Sequence, residues 1–540
     1  MKFTLSWLKD HLETEATVDQ VVEKLTAIGL EVEGVENPAE RLRAFRVAEV
    51  LTAAPHPQAD KLQVLTVDAG DGPVQVVCGA PNARAGMKGV FGAPGTYVPG
   101  SGITLKVAAI RGVESRGMMC SIRELELGEA HEGIIELAAD APVGAVFPEY
   151  AGLDDPVVDI AVTPNRQDAM GVHGIARDLA AAGLGRLKPV EAPPVPGLFP
   201  CPVNIRTDDP DGCPAFFGRV VRGVRNGPSP DWLQQRLKAV GQRPISALVD
   251  MTNYIMLSYG RPLHVYDLAK LRGAVVARKA GPGETVDALN GRTYNLDETM
   301  TVIADDEGVH DIGGIMGGEH SGVTEGTTDI LIECAYFTPD AIARTGQKLT
   351  LTSDARTRFE RGVDPRFVEP GLELATRLAL ELAGGEPSEM VRAGAPPALE
   401  RTIAYRPARC ATLAGVDVAQ DRQAEILERL GFSVERGQQW QVRTPSWRRD
   451  VEGEADLVEE VIRIEGLDKV ISTPLPRAPG VARATATPEQ LVERRLRRTA
   501  AARGLNEAIT WSFISEKESE PFGGSAWVLA NPISEEMKAM

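Results

Sequence analysis

Three proline-rich tracts interrupt this 540-residue chain, and they constrain its fold more than any other feature of the sequence. Proline lacks a backbone N–H and restricts φ, so such tracts favour extended linkers over helices or central strands. A single hydrophobic core also stops growing well below this length. The chain is therefore expected to form several domains. The tracts read "LKPVEAPPVPGLFPCP" (187–202), "AGAPPALE" (393–400) and "STPLPRAPG" (472–480).

The composition is that of a folded protein, with 43% hydrophobic and 25% charged residues. A net charge of −18 excludes a basic coat that binds nucleic acid non-specifically, because such binding depends on Lys and Arg neutralising phosphates. Any RNA contact must be local. Six cysteines without CxxC spacing predict neither a zinc site nor a disulfide framework. Without a signal-peptide pattern or a long apolar run, a cytoplasmic protein that does not enter membranes is expected.

The first half of the chain changes pattern twice. Residues 1–40 form a helical segment, in which Thr17 and Gln20 make a capping box ahead of apolar residues at helical spacing. Residues 41–150 contain short alternating runs such as "KLQVLTVDAG" and "ITLKVAAIRG", the pattern of a small closed β-barrel. Residues 151–202 are a connecting segment that ends in the first proline-rich tract.

The second half predicts three further regions, so the fold class is multidomain α+β. Residues 203–393 mix strands such as "GAVVARKA" with helices such as "PGLELATRLALELAGG", which indicates a mixed α/β domain. Residues 400–475 predict a small helical domain with one hairpin. Residues 482–540 contain a basic helix, "EQLVERRLRRTAAARGL", and a strand-like run, "EAITWSFI", in a domain that the chain does not complete.

The stretch "RRDVEGEADLVEEVIRIEG" (448–466) crowds six carboxylates into the start of an apolar helix. Asp456, Glu459 and Glu460 share one helix face, and Asp450 lies in the preceding turn. Four carboxylates gathered in this way supply the hard oxygen ligands that Mg²⁺ prefers.

The same stretch has a structural interpretation, and the residues alone leave both open. An acid-rich first turn suits the positive end of the helix dipole. Like charges at this density then need cationic partners nearby. The candidate partners are Arg448, Arg449 and Arg463.

Four long stretches of the sequence resemble the β subunits of bacterial phenylalanyl-tRNA synthetases, and the resemblance covers essentially the whole chain. It implies an OB-fold tRNA-binding domain, a B3/B4 editing domain, a B5 domain and the start of a class II synthetase-like module that has lost catalysis. The stretches are "APHPQADKLQVLTVDAG" with "VCGAPNARAGMKGVFGAPGT", "GQRPISALVDMTNYIMLSYGRPLHVYD", "SDARTRFERGVDP" and "TPSWRRDVEGEADLVEEVIRIEG".

The resemblance also implies a function. The family's enzyme is an α2β2 heterotetramer in which the α subunit uses ATP to charge tRNA(Phe) with phenylalanine. The β subunit binds tRNA and hydrolyses the ester of mischarged Tyr-tRNA(Phe). Family members continue beyond the point where this sequence stops, through the rest of the synthetase-like module and an anticodon-binding domain. The alternative is a non-enzymatic tRNA-binding and assembly scaffold with a vestigial editing domain.

Editing has a physical requirement that one glutamate can meet. An apolar pocket rejects an isostere with an added hydroxyl by only about 10²-fold, so a second site that demands the hydroxyl is needed. Glu333, in the apolar run "ILIECAYF", is expected to be a partly buried carboxylate, and it matches the family's reader of the tyrosine hydroxyl. The neighbouring thiol of Cys334 is expected to be an inert core group.

Seven further residues match the family's editing site. His264 corresponds to a histidine near the scissile ester, where an imidazole can orient water or a ribose hydroxyl. The arginine, threonine and asparagine would bind the amino acid and the terminal adenosine, the glycines would let the backbone approach, and the alanine would leave room for the ring. The structural alternatives are a turn cap, a loop with positive φ and a structural hydrogen bond for the histidine. The other six are Arg243, Thr252, Asn253, Gly317, Gly318 and Ala355.

The resemblance implies two more sites. A magnesium ion shared with the α subunit would be bound by Asp450, Asp456, Glu459 and Glu460. Residues 41–150 carry ten basic and twelve acidic side chains, so a packing module with weak RNA contact is the alternative to a tRNA-binding domain. The candidate tRNA contacts are Asn82, Lys88, Arg111 and Arg116.

Overall fold

The protein divides into two compact units, Met1–Ile471 and Ser472–Met540. The division falls at the start of the third proline-rich tract. That tract from residue 477 onward, and the predicted start of the last domain at residue 482, lie outside the described residues. The structure is a computed structural model that describes residues 1–128, 130–476, 484–525 and 527–540.

Two segments far apart in sequence build the N-terminal part of the larger unit. Val157–Ile160 lies between Lys2–Thr4 and Val32–Glu36 in an antiparallel sheet. The predicted capping box of Thr17 and Gln20 is confirmed, and a glycine with φ of 87° follows the end of its helix. A short strand pair joins Leu12–Glu13 to Arg186–Leu187. The helices are Leu5–His11, Val18–Ala27, Pro38–Leu42, Phe147–Tyr150 and Val172–Ala181.

Residues 46–119, all described, form a five-stranded antiparallel sheet over a small apolar core. The predicted β-rich region is confirmed, while its closure as an OB-fold barrel stays a prediction. In spatial order the strands are Met118–Met119, Lys88–Gly92, Arg46–His56, Ala59–Asp68 and Pro73–Cys78. Two hairpins accompany the sheet, Tyr97–Val98 with Ile103–Thr104 and Ala108–Ile110 with Val113–Ser115.

Residues 205–394, all described, contain two sheets and several helices around a large apolar core. In the first sheet Asp329–Tyr336 lies between His264–Asp267 and Ala215–Arg222, and the last of these also pairs with Glu386–Pro387 and Val391–Gly394. The second sheet is, in order, Ile205–Thr207, Val275–Lys279, Thr301–Ala304, Val309–Ile312 and Met316–Gly317. A hairpin joins Thr285–Ala288 to Arg292–Asn295. The helices are Asp231–Ala239, Ala247–Tyr259, Pro339–Lys348, Asp354–Arg361 and Val368–Ala383.

The predicted mixture of helices and strands in this region is confirmed. The strand Asp329–Tyr336 contains a buried acidic residue. Seven of the eight residues in Asp329–Tyr336 are buried, as expected of a near-continuous apolar run in the centre of a sheet. Glu333 is the one ionisable carboxyl among those buried residues. The strand therefore forces a carboxyl group into the domain core.

Residues 402–465, all described, correct one prediction. Their sheet has three strands, where the sequence predicted one hairpin. The additional strand, Thr402–Tyr405, is only four residues long and follows a proline-rich tract, so its pattern is weak. It pairs with Trp440–Arg443, which also pairs with Ser433–Glu435. The helices Gln420–Arg429 and Glu454–Glu465 share an apolar core with the N-terminal helices.

The smaller unit contains the basic helix Pro488–Ala502, which has no buried residue. Within the described residues, no other part of the chain covers a face of this helix. The predicted strand over 507–514 is wrong: within the described ranges only Ile514 forms a bridge there, to Ala539. A strand needs a neighbour to pair with, and Ile509 is left 98% exposed.

The helices of the described ranges have the lengths usual in compact domains. Val368–Ala383 has 16 residues and Pro488–Ala502 has 15. No helix in the described part of the chain is both long and apolar enough to cross a membrane.

Candidate functional site

A cavity of about 70 Å³ lies between the two sheets of residues 205–394. Leu263, Met316 and Phe337 contribute apolar wall, and the polar side chain of Asp311 faces it. The structure therefore brings together half of the predicted editing residues. Four of them line this cavity: His264, Gly317, Glu333 and Ala355.

Strand pairing determines which polar groups meet at the cavity. In the antiparallel pairing of His264–Asp267 with Asp329–Tyr336, His264 lies directly opposite Glu333. Tyr266 follows His264 by two residues, so both side chains point to the same face of the sheet. Asp311 reaches the same place from the second sheet, on the strand Val309–Ile312. We call these four residues the Glu333 cluster.

Hydrogen bonds connect the cluster through one phenol. The Tyr266 hydroxyl contacts Oε2 of Glu333 at 2.7 Å and also makes a very short contact with Oδ2 of Asp311. The backbone N–H of Gly318 donates to Oδ1 of Asp311 at 2.9 Å. Nε2 of His264 is 3.8 Å from Oδ2 of Asp311 and has no hydrogen-bond partner within the described residues. Tyr266 is therefore the group that links Asp311 to Glu333, and Nε2 of the histidine lies beyond hydrogen-bond distance of Asp311.

Burial changes the protonation of this cluster. Removal from water, and next the negative charge of Asp311, raise the pKa of Glu333 to about 8. Burial and the two neighbouring carboxyls raise the pKa of Tyr266 well above its usual value. Glu333 is 6% exposed. The sequence predicted a partly buried carboxylate here, and the structure buries the group almost completely and raises its pKa.

The two predicted glycines are required by close approach. A Cβ on Gly317 would lie 2.5 Å from Cε1 of His264, and a Cβ on Gly318 would lie 2.0 Å from the carbonyl oxygen of His310. Neither glycine has a positive φ, so the alternative of a loop that needs positive φ is wrong. Gly317 leaves space for the imidazole of His264, and the backbone N–H of Gly318 donates a hydrogen bond to the carboxyl of Asp311.

Four predicted editing residues are not among those that line the cavity, and one of them, Gly318, still contacts the cluster through Asp311. Thr252 and Asn253 lie on the helix Ala247–Tyr259, where the Thr252 hydroxyl donates to the carbonyl of Val249 at 2.7 Å. Arg243 is exposed in the segment before that helix. Their proposed contacts with adenosine stay a prediction.

Sequence reasoning missed Tyr266 and Asp311. Tyr266 had a detectable signal, because alternation on a strand places residue i+2 on the same face as His264. Asp311 had none, since it comes from another sheet and only tertiary packing brings it to the cluster.

Three of the four predicted magnesium ligands are bonded to other groups of this chain. Arg448 bonds both oxygens of Asp450, at 2.9 and 2.8 Å. Glu460 is bonded by Arg448 and, at 2.7 Å, by Arg463. Of the predicted cationic partners Arg448 and Arg463 are thus confirmed, whereas Arg449 makes no ion pair among the described residues.

The other two acids do not complete a cluster. Asp456 caps its helix by accepting the N–H groups of Glu452 and Gly453, both at 2.8 Å. Glu459 lines a separate cavity of about 490 Å³. Within the described residues no three His, Cys, Asp or Glu side chains are placed to hold a metal ion. These carboxylates alone do not fit a magnesium site, and an ion shared with a second chain stays untested.

The acids and arginines instead form a buried ladder between two parts of the fold. Arg463 bonds Asp178 of the N-terminal part at 2.9 Å, and Arg166 bonds the same Asp178 at 2.7 Å. Burial acts to raise the pKa of Glu460, but the adjacent guanidiniums of Arg463 and Arg448 lower it well below its usual value. This charge ladder, Arg166–Asp178–Arg463–Glu460–Arg448–Asp450, fixes the helix Glu454–Glu465 against Val172–Ala181.

Two of the candidate tRNA contacts serve the protein's own fold. Asn82 exchanges two hydrogen bonds with the backbone of Ile134, and Lys88 donates to the carbonyl of Ala141 at 2.6 Å. Arg116 is paired with its neighbour Glu114. Arg111 lies exposed at a hairpin turn with φ of 47°. Their role in RNA binding stays a prediction.

Four known domain families match successive parts of the chain. The "Putative tRNA binding domain" matches residues 45–146, and the "B3/4 domain" matches residues 212–384, which include the Glu333 cluster. The "tRNA synthetase B5 domain" matches residues 403–467. The "Phenylalanyl tRNA synthetase beta chain CLM domain" matches residues 471–540.

Curated relatives match the chain from end to end. The chain is 65% identical over 543 aligned positions to the phenylalanine–tRNA ligase beta subunit of Novosphingobium aromaticivorans, covering 100% of this chain and 68% of that protein. The same subunit from Zymomonas mobilis is 60% identical and that from Bradyrhizobium diazoefficiens 55%, each with the same two coverages.

One solved structure that matches is a more distant neighbour. An N-terminal fragment of the phenylalanyl-tRNA synthetase beta subunit from Pyrococcus horikoshii has 16% identity and a TM-score of 0.31, covering 58% of this chain and 88% of that fragment. The relatives, together with the four domain matches, decide the assignment. The chain belongs to the family of phenylalanine–tRNA ligase β subunits, which are subunits of an aminoacyl-tRNA synthetase.

Proposed function

We propose that the Glu333 cavity hydrolyses the ester of tyrosine mischarged onto tRNA(Phe), and that this is the chain's own catalytic contribution. The observation that carries the proposal is a carboxyl that is 6% exposed at the wall of an otherwise mostly apolar cavity. A buried polar group of this kind is stabilised by a ligand hydroxyl and left unpaired by a phenyl ring. The site thus requires the hydroxyl that distinguishes tyrosine from phenylalanine.

His264 is suited to act on the ester. Its Nε2 is buried without a hydrogen-bond partner in the described residues, and Oδ2 of Asp311 lies 3.8 Å away, beyond hydrogen-bond distance. An imidazole nitrogen left unpaired in this way can position a water molecule or the terminal ribose hydroxyl for attack. Because Gly317 has no side chain, the ring can rest directly against the backbone.

The cavity has to enlarge when it binds an amino acid. Its volume of about 70 Å³ is less than half of the ~150 Å³ of an engineered cavity that binds benzene. Met316 lines the cavity and is the side chain best suited to move, since methionine is unbranched and adapts its shape at small cost.

The remaining activities belong to a complex. We propose that the α subunit of an α2β2 heterotetramer carries out ATP-dependent charging of tRNA(Phe), and that residues 45–146 of this chain contact the tRNA. The domain match to a tRNA-binding family supports the second statement. A magnesium ion shared with the α subunit stays an expectation from the family, and no chemical step of this chain depends on it.

The test is deacylation of Tyr-tRNA(Phe) by the assembled α and β subunits. We expect Glu333→Ala to lower kcat/KM about 10²-fold and His264→Ala to lower kcat while binding of tyrosine persists. Glu369→Ala is the control, because this glutamate of the same domain is half-exposed and pairs with Arg392. Equal rates for the wild type and both cavity variants would reject the editing role and favour the scaffold.

A further inference from the structure

The carboxyl of Glu333 uses its two oxygens differently. Oε2 is 2.7 Å from the hydroxyl of Tyr266. Oε1 makes no hydrogen bond within the described residues, although the residue lines the cavity. Tyr266 is fully buried and is not part of the cavity wall. Oε2 is thus bonded on the side away from the cavity, and Oε1 remains available to a ligand.

The Tyr266 hydroxyl has too few hydrogen atoms to donate to both carboxyl groups that it contacts. A phenol has a single O–H, yet the Tyr266 oxygen contacts carboxyl oxygens of both Asp311 and Glu333. Only one of these contacts can be donated by the tyrosine. The other requires a proton on a carboxyl group.

The hydrogen-bond geometry favours Asp311 as the carboxyl that only accepts and Glu333 as the carboxyl that donates to Tyr266. Oδ1 of Asp311 accepts the backbone N–H of Gly318 at 2.9 Å. A hydrogen bond of this kind stabilises a carboxylate. Glu333 has no such donor besides Tyr266 in the described part of the chain.

We propose that Tyr266, anchored by Asp311, is a positioning residue that holds Glu333 as a neutral carboxylic acid with Oε1 as the acceptor for the tyrosine hydroxyl. The inference rests on the proposed editing function and refines its recognition step. Tyr266 donates to Asp311, Glu333 donates from Oε2 to Tyr266, and Oε1 accepts from the substrate. No proton is transferred when the substrate binds.

The surroundings agree with a neutral acid. Burial and the charge of Asp311 raise the pKa of Glu333 to about 8. Burial, and next the interaction with Glu333, raise the pKa of the Cys213 thiol well above its usual value, so this thiol adds no charge near the acid. A neutral acceptor lets the empty cavity persist without an unpaired charge, which a carboxylate in the same place would leave.

The first experiment removes only the tyrosine oxygen. In the assembled α and β subunits, Tyr266→Phe is expected to lower kcat/KM for Tyr-tRNA(Phe) deacylation about 10-fold, the effect of one lost hydrogen bond to the recognising group. Tyr336→Phe is the matched control, because Tyr336 is buried in the same strand as Glu333 and is not part of the cluster. Phenylalanine charging measures the amount of intact complex. A rate for Tyr266→Phe equal to that of Tyr336→Phe would overturn the proposal.

The second experiment tests the neutral acid by rescue. Glutamine is neutral and has the shape of a protonated glutamate, so Glu333→Gln is expected to retain at least about a tenth of the wild-type kcat/KM, whereas Glu333→Ala does not. Glu333→Gln as slow as Glu333→Ala would show that the charge is needed and would overturn the neutral acid.

An infrared measurement separates this inference from the editing function. The difference spectrum of wild type minus Glu333→Gln at neutral pH is expected to contain the carbonyl band of a protonated carboxylic acid, and Tyr266→Phe is expected to shift that band. Absence of the band overturns the inference whether or not the enzyme edits. If the band is present and shifts while Tyr-tRNA(Phe) is not hydrolysed, the positioning role stands and the proposed function fails.

Discussion

Buried carboxyl groups lie close together in two places in this chain, the charge ladder and the Glu333 cluster. The cost of burying their negative charge is offset in opposite ways. In the charge ladder, Glu460 lies between Arg448 and Arg463, which lower its pKa well below the usual range. In the Glu333 cluster the described residues provide no arginine or lysine partner, and the pKa of Glu333 rises to about 8. Both side chains are almost fully buried.

The difference shows what each cluster is suited to do. A carboxylate between two guanidiniums has its lone pairs occupied, so it holds neighbouring elements together and has little capacity for a ligand. A carboxyl that is neutral and bonded on one side keeps an oxygen for a guest. The acid-rich stretch of the sequence therefore forms most of the charge ladder, which has little capacity for a ligand. The carboxyl that can accept a ligand is Glu333, which has no acidic residue next to it in the sequence.

The largest effect is expected from breaking the ladder. Arg463→Ala removes the cation between Asp178 and Glu460, so each of these buried carboxylates loses one of its two arginine partners. We expect the free energy of unfolding to fall by about 3–5 kcal/mol, measured by urea denaturation. Arg422→Ala, which removes a partly exposed pair with Glu465, is the control and should cost below about 1 kcal/mol. Equal losses for the two variants would contradict a structural role of the ladder.

A smaller effect, of opposite sign, is expected at Glu333. Its pKa is raised in the folded state, so between pH of about 4.5 and 8 the folded chain binds more protons than the unfolded chain, and stability falls as pH rises. Glu333→Gln does not titrate. Its stability relative to wild type should thus grow across that range, by on the order of 3 kcal/mol at pH 7. Melting temperatures at several pH values measure this.

Glu373→Gln is the matched control for that comparison. Glu373 is 6% exposed, like Glu333, but it is bonded to Arg219. Removing its charge leaves Arg219 without its partner, so this variant is expected to be less stable than wild type at neutral pH. If both variants respond to pH alike, the contrast between paired and unpaired buried acids does not hold.

Gly317→Ala tests the packing of the cavity with a still smaller change. A Cβ there would lie 2.5 Å from the His264 ring, which has to move. We expect Tyr-tRNA(Phe) deacylation to fall about 10-fold with little loss of stability, since a displacement of about 1 Å already costs catalysis heavily. Gly322→Ala, whose Cβ would meet its nearest atom at 3.5 Å, should keep the wild-type rate. Wild-type activity in both would show that the histidine position is not critical.

The smallest effect concerns magnesium. Asp450 and Glu460 are bonded to arginines and Asp456 caps a helix, so millimolar Mg²⁺ is expected to leave the melting temperature of the isolated chain unchanged. A rise that Asp450→Asn abolishes would contradict this. The same titration on the complex with the α subunit tests the shared site that the family predicts.

Local signals in the sequence were reliable where neighbouring residues decide the outcome. The capping box of Thr17 with Gln20 formed as predicted. The run around Glu333 became a buried strand, because its apolar residues have no solvated face. The run over 507–514 failed, because a strand also needs a neighbour, and the sequence does not show whether one is present.

The sequence by itself determined the domain order, the family and the identity of the buried acid, because these depend on composition, motifs and local periodicity. Only the tertiary structure decided the state of that acid. Tyr266 and Asp311 meet Glu333 across two sheets, and arginines from separate segments occupy the carboxylates of the ladder. A pKa depends on distances between charges and on exclusion of water, and both arise only when distant segments pack together.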